Sequence, residues 1–168
     1  MTDALGRVAE DVAAVLEGLE RSTLEASPGN GANTIGWLIW HLTRVQDDHI
    51  AHVADSEQVW TAQGFAERFG LELDVADHGY GHTPAQAAAV VGFEADLLAE
   101  YHRATFARTA DYLASLGTEG FDRVVDTNWD PPVTLGVRLV SVVNDCAQHV
   151  GQATYLRGLF GDWAPPSG

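Results

Sequence analysis

The 168-residue sequence predicts an all-α fold, a four-helix bundle formed as one domain over residues 1–168. Three observations carry that expectation. Apolar residues recur at the three- and four-residue spacing of one helical face in four separate segments. Caps or clusters of turn formers bound those segments. The β-branched run VTLGVRLVSVV is too long for a strand and continues without a break toward AQHVGQATYLRG, so it also reads as helix.

The first helix is expected from about Asp3 to Ser22, with Leu5, Val8, Val12, Val15, Leu16 and Leu19 on its inner face. It stops before the turn-forming cluster SPGNGAN. The second starts near Asn33 as N-cap and runs to about Asp55, with Ile35, Leu38, Ile39, Leu42, Val45 and His49 as its inner stripe. A long loop from Glu57 to His82 follows, rich in glycine and aromatics and ending in HGYGH. A loop of that length either has a function or packs by its own side chains, so short helical turns over one end of the bundle are expected. Thr83-Pro84 is a helix start, a Thr cap followed by Pro at the first helical position. The third helix is expected from there to about Leu116, with Val90, Val91, Leu97, Leu98, Tyr101, Leu113 and Leu116 in the core. A second long loop contains VVDTNWDPPV, where Trp129 and the double proline suggest a fixed path. The fourth helix runs from about Thr134 to Phe160, and the tail GDWAPPSG leaves the fold. Trp37, Trp40, Trp60 and Trp129 read as core and loop anchors.

Charge narrows the function classes. Nine basic residues, all arginine, oppose 24 acidic ones, for a formal charge of −15. Such a field repels phosphate backbones and anionic lipid, so neither nucleic acid nor membrane is an expected partner. No apolar run approaches the roughly 20 residues that span a bilayer, and the N-terminus lacks the basic start and apolar core of a signal peptide. A cytoplasmic protein is expected. The single cysteine, Cys146, excludes an intrachain disulfide and a cysteine-based zinc cluster.

Asp145 and His149 stand four residues apart on the fourth helix, one turn apart on one face, where both can reach one ion. The best third ligand is His41 on the second helix, beside Ile39 and Leu42 and directed inward. Metal sites in helix bundles are built from facing helices in this way, and two imidazoles with a carboxylate suit zinc, nickel or ferrous iron. The bland alternative is a helix-surface Asp–His pair without metal. Gln152 is a candidate to hold a ligand or water, or else a polar edge residue. Arg157 either covers a loop carboxylate or meets an anionic substrate. His49 and His52 lie one or more turns along the helix from His41 and read as surface or supporting residues. Cys146 is about 100° around the helix from Asp145 and reads as a core residue. HGYGH can donate ligands, but its glycines suit tight turns and its histidines suit capping or covering.

Two motifs then carry a family resemblance. TIGWLIWHLTRVQDDH, residues 34–49, and NDCAQHVGQATYLRG, residues 144–158, together resemble the DinB-like superfamily. That superfamily includes YfiT-type metal hydrolase-like proteins and mycothiol-dependent maleylpyruvate isomerase. Helix order and spacing extend the resemblance over nearly the whole chain. It implies metal ligands at His41, Asp145 and His149. Many members have His at the position of Asp145, and the isomerase branch has Glu; the shorter aspartate shifts the ion or lowers affinity, leaving metal identity open. The resemblance also implies a homodimer, a divalent ion (zinc or nickel foremost) and a low-molecular-weight thiol such as mycothiol, with Gln152 and Arg157 as candidate cofactor-binding residues. The expected function is metal-dependent thiol S-transfer or isomerisation of a small electrophile. The alternatives are a non-catalytic, stress-associated metal-binding dimer and a metal-dependent hydrolase.

Overall fold

A computed structural model describes residues 1–161. The expected departure of the tail falls, beyond Gly161, outside these residues. Four long helices dominate: α1 (Thr2–Leu16), α3 (Ile35–Ala54), α7 (Ala95–Ser115) and α8 (Leu135–Phe160). Short helices α2 (Arg21–Leu24), α4 (Val59–Ala62), α5 (Phe65–Phe69) and α6 (Pro84–Ala88) fill the connections. Helix α3 packs on α7 and α8, and α1 packs on the same two. The long helices therefore surround one apolar core, with Leu5, Leu38, Leu42, Leu98, Tyr101, Leu139 and Cys146 almost fully buried. Among the described residues no helix is long and apolar enough to cross a membrane. The all-α class expected from periodicity is the class found.

Boundaries differ where single residues override the pattern. The first helix ends at Leu16, not Ser22, because Gly18 adopts φ +60° and turns the chain. Arg157 of α8 then takes the carbonyls of Val15 and Glu17 at that end. Thr34, not Asn33, caps α3, its Oγ1 accepting from Trp37 N–H at 3.0 Å. The Thr83-Pro84 start is real, with a reciprocal Thr83–Gln86 capping box, but it opens only the short α6. The expected continuous third helix breaks at Gly92, φ +99°, whose N–H donates to Glu25 at 2.8 Å. The break lets both Val90 and Phe93 enter the core and leaves Val91 exposed, contrary to its expected core position. Trp129 is 66% exposed, not the buried anchor expected; its loop is held instead by the antiparallel strands β1 (Val124–Asp126) and β2 (Val133–Thr134).

Helix α3 carries more buried polarity than its sequence suggests. Arg44 is fully buried, donating to the carbonyls of Asp77 (3.1 Å) and Val75 (3.2 Å), to Gln58 Oε1 (2.6 Å) and to the Tyr101 hydroxyl (3.3 Å). Asp47, one turn on, accepts from the N–H groups of Val59 and Trp60 (2.8 Å each) and from the Tyr101 hydroxyl (2.9 Å). The two residues thus hold the start of α4 and the segment before HGYGH against α3.

His102 is 2% exposed, with Nδ1 3.0 Å from the Thr43 hydroxyl, and burial pushes its pKa down to about 4. The ring is neutral when folded and protonated below about pH 6.5 when unfolded. The unfolded chain therefore binds the extra proton between pH 6.5 and 4, and stability falls as pH drops through that window. Unfolding in urea at pH 7 and pH 4.5 should show about 2–3 kcal/mol of acid-induced loss that His102→Leu abolishes.

Candidate metal centre

His41 and His149 face each other across the α3–α8 contact, and Asp145 lies one turn below His149. Candidate ligand atoms of the three residues all lie within 4.8 Å of one another. Two atoms on one ion with bonds near 2.1 Å stand roughly 3–4.4 Å apart, so only a small closing movement separates this set from coordination. The imidazole rings meet edge to face, with centroids 4.7 Å apart.

Hydrogen bonds leave the right atoms free. Nδ1–H of His41 donates to the His78 carbonyl at 2.5 Å, and Nδ1–H of His149 donates to the Asp145 carbonyl at 2.8 Å. Each neutral ring is therefore fixed in the tautomer whose Nε2 lone pair is available. Oδ2 of Asp145 is buried without a hydrogen-bond partner. His149 Nδ1 lies 3.4 Å from it, but that N–H is already committed to the main chain. A carboxylate oxygen without a hydrogen-bond partner beside two presented imidazole nitrogens is a donor set that could hold a divalent cation.

The two rings differ in their electrostatics. Burial, together with the nearby His149, lowers the His41 pKa and favours the neutral, ligating ring. Burial also disfavours a charged His149, but the contacts with Asp145 outweigh it and raise that pKa. For Asp145, burial acts upward and is overcome by the His149 contacts and the neighbouring His41 and His49, so the carboxyl titrates below its usual range. The centre is not sealed: His41 is 5% exposed, whereas the Asp145 and His149 side chains are 30% and 19% exposed.

The HGYGH loop supports the centre without supplying a ring nitrogen to the triad. Gly79 adopts φ +88°, and a Cβ there would lie 2.9 Å from His41 Nδ1 and 3.0 Å from the Trp40 ring. Only glycine lets the loop come close enough for the His78 carbonyl to take the His41 proton. Trp37 stacks on His41 with centroids 4.6 Å apart and planes 11° apart. Its indole N–H donates to His82 Nδ1 at 3.2 Å, and His82 Nε2–H donates to Asp77 at 3.0 Å. Asp77 also accepts from Gly79 N–H at 2.7 Å, so one carboxylate holds both the brace on Trp37 and the turn under His41. Only a partial signal for this chain of contacts is legible in the residues, two glycines flanking Tyr80. Gly79→Ala should lower zinc affinity by about 10–100-fold, the usual effect of disturbing the partner of a ligating histidine. Competition with a chromophoric chelator measures it.

The remaining candidates separate. Gln152, one turn beyond His149, lines an open cleft of about 900 Å³ with Asn33, Leu38, Gln148 and Tyr155. Arg157 instead caps the α1 terminus through Val15 and Glu17. His49 is partly buried within electrostatic range of Asp145 and Arg138, and His52 is exposed. Cys146 is fully buried and burial raises its pKa, so its thiol is inert.

Comparison with known proteins decides the family. The sequence model of the mycothiol-S-transferase family matches residues 1–161. The chain belongs to this family. It is a DinB-like family, as the two motifs led us to expect. Among solved structures, a conserved protein from Enterococcus faecalis superposes with a TM-score of 0.87 at 36% identity, over 94% of this chain and 93% of that one. No curated protein matches the chain. The cleft at Gln152 is lined by none of the nine arginines and by none of His41, Asp145 and His149.

Proposed function

We propose that this chain is a cytoplasmic, homodimeric S-transferase that joins a low-molecular-weight thiol of the mycothiol type to a small electrophile at a centre formed by His41, Asp145 and His149. The observation that carries the reading is the Asp145 Oδ2, buried without a hydrogen-bond partner, beside two histidines whose Nδ1 protons are already committed. A divalent ion held there, zinc or nickel, supplies the charge that lowers the pKa of a thiol so that thiolate exists at neutral pH. The chain's own residues do the rest. The His78 carbonyl and the Trp37 ring orient His41 and cover one side of it. Asp145 contributes the negative charge that holds a cation between two neutral rings. Gln152 and Gln148, at the start of the cleft, offer amides to the polar groups of a thiol or its acceptor. The thiol's proton is lost to solvent, the new S–C bond forms as the electrophile's leaving group departs with its electron pair, and no protein thiol is needed.

The partial exposure of Asp145 and His149 favours this enzyme over a purely structural metal centre, which would be closed. The test is conjugate formation, followed by mass spectrometry, from mycothiol and a haloaromatic electrophile with zinc- or nickel-loaded protein. Expected is acceleration that requires metal and mycothiol and is lost in His149→Ala. A loaded protein that accelerates nothing would point to a metal-binding dimer, and thiol-independent ester cleavage to a hydrolase; either overturns the proposal.

A further inference from the structure

The loop that supports His41 backs onto a second polar feature, away from the three candidate ligands. Trp40 and Trp60 are 1% and 4% exposed, and among the described residues neither indole N–H has a hydrogen-bond partner. A buried donor left unpaired costs free energy, so native structures rarely leave one. Here two line the same small cavity, of about 70 Å³. Both rings are held in place. Trp40 lies against His82, with centroids 6.1 Å apart, and a Cβ at Gly79 would come within 3.0 Å of it. Trp60 packs on Phe69 and Tyr101, each with centroids 5.2 Å away.

Asp74 and Asp77 line the same cavity. Asp74 accepts from Ala76 N–H, and Asp77 from Gly79 N–H and His82. Burial acts upward on Asp77, but His82 and Gly79 outweigh it, and its carboxyl titrates below the usual range. An indole N–H only donates, and an ionised carboxylate, with about four lone-pair sites, only accepts. A ligand that satisfies both must accept and donate. A metal cation finds no lone pair on the indoles. A halide accepts from the indoles but meets two carboxylates in a chain of formal charge −15. Water does both, and at about 30 Å³ each roughly two molecules fit. We propose that this cavity is a structural water site, in which water accepts from the Trp40 and Trp60 indoles and donates to Asp74 and Asp77.

Arg44 gives the cavity a fixed wall. Its guanidinium donates to the carbonyls of Val75 and Asp77, both lining residues, and lies 4.8 Å from the centroid of the Trp60 ring. The segment 75–77 is therefore pinned from one side and is not free to collapse onto the indoles. The water has a structural consequence as well. Asp77 is the carboxylate that holds both His82 and the Gly79 turn. Bridging water ties Trp40 of α3 and Trp60 of α4 to that same carboxylate, and so extends the support under His41 to the far side of the loop. The site stands on the two indoles, the two carboxylates and the cavity, and does not depend on a metal ion or on catalysis.

Water-selective nuclear Overhauser spectra of the nitrogen-15-labelled full chain test the site, with the indole signals assigned by triple-resonance spectra. Long-resident water gives cross-peaks of the sign seen within the protein, and surface water does not. Such cross-peaks are expected at the indole protons of Trp40 and Trp60. None is expected at Trp37, whose indole N–H is committed to His82 at 3.2 Å. Titration with sodium bromide should leave the Trp40 and Trp60 indole signals where they are. A saturable bromide shift of both signals would make the cavity a halide site and overturn the proposal. Absence of water cross-peaks at both indoles would show a dry cavity and overturn it equally. A cross-peak at only one of the two would overturn the bridge between them.

Discussion

Asp145→Ala is expected to lower zinc affinity by well over 100-fold, more than the roughly 10–100-fold typical of losing a supporting partner. The substitution removes a donor and the site's negative charge together, leaving His41 and His149, too few to define a specific centre. Asp145→Glu and Asp145→His each restore a donor and should bind zinc at least as well as the alanine variant and close to the parent. The pH dependence has a definite sign. Ligation needs neutral imidazoles, so affinity falls as pH drops through the raised His149 pKa. Without the Asp145 carboxylate that ring keeps only the main-chain part of what raises its pKa, and the onset of proton competition moves to lower pH. Affinities of the four proteins, measured by chelator competition from pH 5.5 to 8, separate the cases. An alanine variant that binds and titrates like the parent would remove Asp145 from the centre.

Arg44→Met should cost about 3–5 kcal/mol of stability, the range for breaking a buried ion pair from one side. Arg44 is 0% exposed, and its guanidinium lies 3.8 Å from Asp47, itself 3% exposed. Removal strands that carboxylate and leaves the Asp77 and Val75 carbonyls and Gln58 without this donor. Burial already raises the Asp47 pKa despite its hydrogen bonds and Arg44. Losing the cation raises it further, so the variant's deficit should shrink as pH falls and the carboxyl takes up a proton. Adding Asp47→Asn, which removes the stranded charge, should recover part of the loss at pH 7. Because Arg44 also fastens the segment that leads to His78, Arg44→Met should weaken zinc binding in the folded protein. Urea unfolding at pH 7 and pH 5 measures the first effect and chelator competition the second. A cost below about 1 kcal/mol at pH 7 would show that Asp47 does not depend on Arg44.

The three candidate ligands were legible in the sequence because the helix itself encodes their relation. Four residues along α8 place Asp145 and His149 on one side whatever else the chain does, and the apolar stripe beside His41 turns it inward. The long helices were legible for the same reason, since local periodicity reports which face is buried. What failed was local in position but decided elsewhere. The third helix breaks at Gly92 because the core takes Val90 and Phe93 together and Glu25, far back in the chain, accepts the freed N–H. Arg157 reads equally well as a substrate-binding residue or a cap until the end of α1 is brought beside it.

The support of the centre was out of reach from sequence alone. The carbonyl that fixes the His41 tautomer belongs to His78, and a main-chain group leaves no trace in residue identity. Only the Gly79 position hinted at a close approach, and it did not say to what. The sequence by itself determined the helices, the donor types and their spacing, because these follow from short-range geometry. Only the tertiary structure decided which histidines converge with Asp145 and which brace, because those depend on contacts between residues tens of positions apart.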